Sequence, residues 1–228
     1  MQPDKARALR MAARAMARHG LAHAYGHVST RIDDRSFLVT PAMPLGCVEP
    51  DEPGVIVRLE GDLPPGALPE VRIHREIYRN RREIGGICRV QPPATMALSA
   101  LRETPRALHG LGTYFAPAPP LWEGVALVRD DAQAVAVAEM MGKAAAIVLS
   151  GNGAVVAGET IEEAAALTYF LEDAARLELA ILPARAAGIE PRQYSPQQVS
   201  ARAIKAGALI ERMWQFLCYG DPEWQRQN

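Results

Sequence analysis

Cysteine is scarce in this chain, charge of either sign is offset, and long apolar runs are missing. The three cysteines in 228 residues, Cys47, Cys88 and Cys218, are odd in number and far apart. That spacing excludes a disulfide framework and a Cys-x-x-Cys metal knuckle, and it suits a reducing compartment. The 25 basic residues stand against 26 acidic ones, a net charge of −1, so nothing points to a nucleic-acid surface. The arginine-rich stretch from Arg72 to Arg82 contains Glu76 and is followed by Glu83; it reads as a solvated helix face. The first twenty residues scatter Asp4 and the cations Lys5, Arg7, Arg10, Arg14 and Arg18 among alanines, unlike a secretory leader. No segment is long and apolar enough to span a bilayer. A cytoplasmic protein, with neither nucleic acid nor membrane as partner, is the expectation.

What is present is one core's worth of apolar residues, 49% of the sequence, in a length that favours a single domain. No internal repeat, low-complexity tract or linker divides it. An Ala/Arg-rich amphipathic helix is expected from Asp4 to His19, ended by Gly20. Two strands, 26–32 and 37–40, turn at Asp33-Asp34. A proline-rich loop leads to a strand from Val55 to Leu59, then a helix from Glu70 to Asn80 with Ile73 and Ile77 inward. Ile84 to Val90 reads as a buried strand, followed by a helix from Ala94 to Leu101. Residues 102–124 look irregular. Asp130 caps a helix from Asp131 to Ala145, which feeds strands 146–150 and 154–157. Thr160 with Glu163 forms a capping box for a long helix through Leu182, stopped by Pro183. Ser195-Pro196 opens a last helix to Tyr219, with Ile204, Leu209, Met213, Phe216 and Leu217 inward. Helices interleaved with strands favour a single α/β or α+β layer fold.

The chemistry-bearing residues are few. Glu70 and His74 are one helical turn apart and can share a face. Glu70 also fits a carboxylate favoured by the helix dipole, and a lone helical histidine is most often packed and hydrogen-bonded. Arg89 in a buried strand either faces a ligand or neutralises Glu70. His19, His23 and His27 recur every four residues, but Gly20 and Gly26 argue against one continuous helix. His27 falls on a loop edge, whereas His19 and His23 read as structural or exposed. Cys88, beside Arg89, reads as inert filling.

Several pieces occur in a fixed order: Gly20-Leu21, Gly26-His27-Val28-Ser29-x-Arg31, Leu38-Val39-Thr40-Pro41, Glu70-x-x-x-His74, the strand 84–92, Gly151-x-Gly153 through Gly158, and Glu162-Glu163-Ala164. Together they resemble the class II aldolase/adducin family over about residues 5–182. The resemblance implies a three-layer fold, a central and mostly antiparallel sheet flanked by helices, with 184–228 as a C-terminal extension. It also implies a homo-oligomer, a tetramer in the family, with active sites between subunits.

Family members polarise a carbonyl with a divalent metal held by three histidines, while a glutamate moves the proton. The positions matching those histidines hold Arg89, Gln91 and Asn152. None is a plausible zinc ligand, and a guanidinium has no lone pair to donate. No metal is expected at the family position; a relocated site using His27, His74 and Glu70 is the alternative. Arg89 could instead bind a carboxylate or stabilise an enolate. The resemblance makes Glu70, Arg89 and His109 the catalytic candidates. His27, Ser29, His74, Gln91, Asn152 and Tyr114 are the substrate-binding ones, with Trp122 as an apolar wall.

Hydroxyl and glycine donors that would cradle a phosphate are mostly lost around Gly26-His27, Thr40-Pro41-Ala42-Met43 and Leu68-Pro69. A small carboxylated, non-phosphorylated substrate fits better, as in the family branch that decarboxylates hydroxylated aromatic or pyridine dicarboxylates. The leading expectation is a lyase performing decarboxylation or carbon–carbon cleavage with an arginine in place of the metal. The alternatives are a non-catalytic adducin-like binding or scaffold protein, and a lyase with a relocated metal.

Overall fold

The computed structural model describes residues 3–224; the last four residues of the expected C-terminal extension lie outside them. Helix α1 (Pro3–Arg18) is followed by strands β1 (His27–Asp33), β2 (Ser36–Val39) and β3 (Val55–Arg58). Helix α2 (Val71–Asn80) leads into β4 (Gly86–Val90), and α3 (Pro93–Ala100) follows. After β5 (Leu121–Trp122) come α4 (Asp131–Met141), β6 (Ala146–Leu149) and β7 (Gly153–Gly158). Three helices close the described chain: α5 (Ile161–Ala186), α6 (Pro196–Arg202) and α7 (Leu209–Cys218).

The seven strands form one sheet in the order β3-β2-β1-β4-β7-β6-β5. Every pairing is antiparallel except β5 with β6. The expected three-layer α/β architecture is therefore present. Alternation along the strands sorts side chains to two cores. Ile87, Val155, Ala157, Phe37 and Val39 join α2 and α4 in one. Val28, Leu38, Cys88 and Val90 meet α1, α5 and α7 in the other. All five residues of β4 are buried, as expected of a central strand covered on both faces.

Five expectations need correction. Pro183 lies inside α5, which runs on to Ala186. So near the helix end its missing N–H costs a single bond, and Ala187 N–H closes a last turn on the Pro183 carbonyl. The expected last helix is two, broken where Gly207 and Ala208 take left-handed backbone, φ +66° and +52°; Ile204 and Phe216 are 50% and 52% exposed rather than inward. Helix α4 stops at Met141 because Gly142 turns to φ +52°. The stretch 102–124 is not wholly irregular, since it holds a 3-10 turn at 112–115 and β5. Thr160 does cap α5 by accepting from Glu163 N–H at 3.1 Å, but the Glu163 carboxylate answers to Glu159 N–H rather than to the cap itself.

Candidate active site

Antiparallel pairing of β1 with β4 sets His27 opposite Arg89 and Ser29 opposite Ile87. Strand alternation turns Arg89 toward the α2 side, while Cys88 and Val90 enter the opposite core. On α2 the residues Glu70, His74 and Tyr78 recur every four positions and form one stripe over these strands. Two glycines let the backbone close around the end of β4. A Cβ on Gly26 (φ +142°) would lie 2.9 Å from the Arg89 carbonyl oxygen, and one on Gly153 (φ +95°) 2.0 Å from that of Val90. Either clash would push the loops off the strand.

Arg89 is 4% exposed, and its guanidinium is underused. Nη1 donates to the Val90 carbonyl at 3.3 Å, and Nε has no partner. Nη2 stands 3.9 Å from a Glu70 carboxylate oxygen, close enough for an ion pair but beyond hydrogen-bond length. A guanidinium carries five N–H groups, so this one retains donors for a ligand. Glu70 makes no capping bond to its own helix; its carboxylate belongs to the Arg89 end of the strand.

The two histidines are equally unusual. Their rings lie 4.6 Å apart, and His27 is buried with neither ring nitrogen partnered. Burial, then the His74 and Arg89 charges, hold the His27 imidazole well below its ordinary pKa. Burial and Arg89 lower His74 to about 3. Both rings are therefore neutral bases in the native protein. His74 Nδ1 is 2.6 Å from Ser29 Oγ, which is 2.9 Å from the Tyr78 hydroxyl, and His74 Nε2 is unpartnered. Ser29 thus faces two protein groups rather than open space. Tyr78 was invisible to sequence reasoning; its only signal is the four-residue spacing from His74.

Glu70, His74, Arg89, His27 and Ser29 thus come together. Gln91, just past β4, and Asn152, in the β6–β7 turn, flank the same strand end, both half-buried. His109 and Tyr114 do not join them within the chain. The half-buried His109 ring lies near Asp173 of α5 and Arg202 of α6, and burial lowers its pKa. The Tyr114 hydroxyl donates to the Ile204 carbonyl at 2.8 Å and its ring packs on Phe170. Both belong to the α5 side of the sheet. Trp122 packs at the edge of the α2-side core. His23 is exposed, and His19 packs beside Tyr169 and Phe216. Burial pushes the Cys88 thiol up to about 12, which suits inert filling.

Residues 7–179 match the model of the family described as Class II Aldolase and Adducin N-terminal domain. The chain belongs to the class II aldolase and adducin family. A 3,4-dihydroxyphthalate decarboxylase from Terrabacter sp. (strain DBF63) is 31% identical over 192 residues, 76% of this chain and 79% of that protein. A protein of the same name from Arthrobacter keyseri is 29% identical over 200 residues, 78% of each. Among solved structures, an L-fuculose 1-phosphate aldolase from Glaciozyma antarctica PI12 superposes with a TM-score of 0.78 at 21% identity, covering 95% of this chain and 89% of that one. Family and relatives together support a lyase enzyme.

Class II aldolases are usually metal-dependent, and the fit of such an ion can be tested on the donors present. Among the described residues no three His, Cys, Asp or Glu side chains gather as a metal-holding group. The two site imidazoles share their surroundings with the buried Arg89 cation, which would repel a dication. His74 has one ring nitrogen engaged by Ser29. With a cation in their midst, these donors are a poor set for a divalent ion.

Proposed function

We propose that this class II aldolase relative is a decarboxylase of small hydroxylated aromatic dicarboxylates, in which Arg89 takes the part that a metal plays elsewhere in the family. The single observation that carries the reading is the buried Arg89 guanidinium, most of its donors free, with Glu70 at 3.9 Å and two neutral imidazoles beside it. A cation walled off from water binds a carboxylate bidentately and holds developing oxyanion charge far more strongly than in solution. The names of the two curated relatives supply the substrate class. The lost phosphate-cradling residues fit a non-phosphorylated compound.

In this mechanism Arg89 anchors an anionic oxygen of the substrate. Glu70 relays a proton from solvent to the ring carbon that bears the departing carboxylate. The carbon–carbon bond then breaks, its electron pair restores the aromatic ring, and carbon dioxide leaves. The balance is one carboxylate and one proton consumed for one carbon dioxide and one ring C–H. His27, Gln91 and Asn152 position the substrate, the two amides donating and accepting without added charge. His109 and Tyr114 would contribute across a subunit boundary in a homo-oligomer, as sites of this family do.

The test is turnover of 3,4-dihydroxyphthalate, followed as dihydroxybenzoate and carbon dioxide, before and after exhaustive chelation. Turnover that survives chelation and falls by about 10²–10³-fold in Arg89→Met is the expected result. Activity that is lost on chelation and restored by zinc or manganese overturns the arginine mechanism. Neither turnover nor binding across aromatic and pyridine dicarboxylates would favour the adducin-like binding module.

A further inference from the structure

Three side chains beneath the site form a hydrogen-bond chain whose direction is fixed by counting protons. Tyr78 is 1% exposed, and its hydroxyl has Ser29 Oγ as its partner at 2.9 Å. A buried hydroxyl proton without an acceptor is costly, so Tyr78 donates to Ser29. Ser29, fully buried, has one proton of its own, and its other neighbour is His74 Nδ1 at 2.6 Å. Ser29 therefore donates to His74. Nδ1 must then present its lone pair, and a neutral ring carries its proton on Nε2. The reverse direction, with Nδ1–H donating to Ser29 and Ser29 to Tyr78, strands the phenolic proton inside the core.

We propose that Tyr78 and Ser29 are positioning residues that lock His74 as the Nε2–H tautomer, making it a neutral hydrogen-bond donor beside Arg89 for an anionic substrate oxygen. Nε2 is buried and unpartnered in the protein, on a ring whose centroid lies 4.6 Å from that of His27. A donor of this kind complements the guanidinium without adding charge, which is what a carboxylate or phenolate oxygen needs for a second contact. The inference rests on the decarboxylase reading only for the identity of the ligand.

Long-range nitrogen–proton NMR of protein labelled with 15N-histidine tests it. The chain has five histidines, and the His74 signals are those that vanish in His74→Gln. The expected spectrum has a pyrrole-like Nε2 and an unprotonated Nδ1 for His74, and Tyr78→Phe and Ser29→Ala each shift it toward a mixture containing Nδ1–H. Nδ1–H or a doubly protonated ring in the wild type overturns the proposal. So does a His74 pattern unchanged in both variants. If Tyr78→Phe does not fold, the wild-type tautomer and Ser29→Ala still decide. With 3,4-dihydroxyphthalate, folded Tyr78→Phe should lose roughly tenfold in kcat, the scale of one displaced hydrogen bond, with KM nearly constant. Absence of turnover in the wild type would sink the decarboxylase reading and leave the tautomer result standing.

Discussion

The two sides of β4 both bury polar groups and treat most of them in opposite ways. On the α5 side the carboxylates Glu172 and Glu178 are saturated, although His109 Nδ1 has no partner. The Glu172 carboxylate accepts from Ala94 N–H at 2.9 Å, Thr95 N–H at 3.0 Å and the Thr95 hydroxyl at 3.1 Å, capping α3, whose own Pro92 supplies no side-chain cap. Glu178 takes two bonds from the Arg106 side chain and one from its backbone. On the α2 side Arg89, His27 and His74 leave Nε, both imidazole nitrogens and Nε2 without partners. A buried polar group left unmatched costs free energy that folding alone would not retain. Saturation suits a polar cluster that only stabilises the fold, whereas the unmatched groups around Arg89 are what the proposed substrate site requires.

Substitutions can break that contrast. Glu70→Gln should cause the largest loss, about 10²–10⁴-fold in kcat, the range for removing a positioned proton donor; steady-state kinetics would settle it, and a loss confined to KM would reassign Glu70 to binding. Arg89→Met should cost about 10²–10³-fold in kcat/KM with the far-ultraviolet circular dichroism unchanged. Retained activity would place the chemistry elsewhere. On the saturated side the effect should be on stability instead. Glu172→Ala removes the acceptor for three donors and should lower unfolding free energy by about 1–3 kcal/mol, with KM for the folded enzyme unmoved. A large KM change would merge the two sides into one site.

Acid sharpens the comparison further. His74 is held at about 3 against an ordinary 6.5, and His27 also lies well below it, so between these values the unfolded chain binds protons that the native protein refuses. Stability should therefore fall as pH drops below about 6.5, at up to ~1.4 kcal/mol per pH unit for each ring. Chemical denaturation from pH 7 to 5 would show it, and an unaltered slope in His74→Gln would contradict it. Carboxylates of the saturated kind respond later. Burial raises Asp221, but hydrogen bonds from Arg14 and its charge outweigh that and hold the carboxylate below 3.8; its stabilisation is intact above that value and is lost only as pH falls through the lower one. The smallest effects belong to the rim: Gln91→Ala and Asn152→Ala should each raise KM by up to roughly tenfold, one hydrogen bond's worth.

Much of this was legible in order and spacing. Each strand from β1 to β7 except β5 was visible as a short apolar or alternating run, and each helix up to α5 as a periodic one. The family likeness was carried by pieces such as Glu70-x-x-x-His74 and Gly151-x-Gly153, which place a carboxylate, a histidine and two turns at fixed distances along the chain. β5 was hidden because two residues in a proline-rich loop carry no period, and its strand character comes wholly from pairing with β6. The break between α6 and α7 was hidden because Gly207 alone does not end a pattern; the left-handed Ala208 beside it does.

By itself the sequence determined most of the elements, their order and the family likeness. Those follow from local propensity, hydrophobic period and chain spacing, which are properties of neighbours along the chain. Only the tertiary structure decided that Arg89 faces α2, that His27 lies opposite it across the β1–β4 register, and that Tyr78 reaches Ser29 across 49 positions of chain. It also separated His109 and Tyr114 from that group within one chain. The reason is that whether a buried polar group is satisfied depends on what the opposite element brings, and no local pattern records the partner.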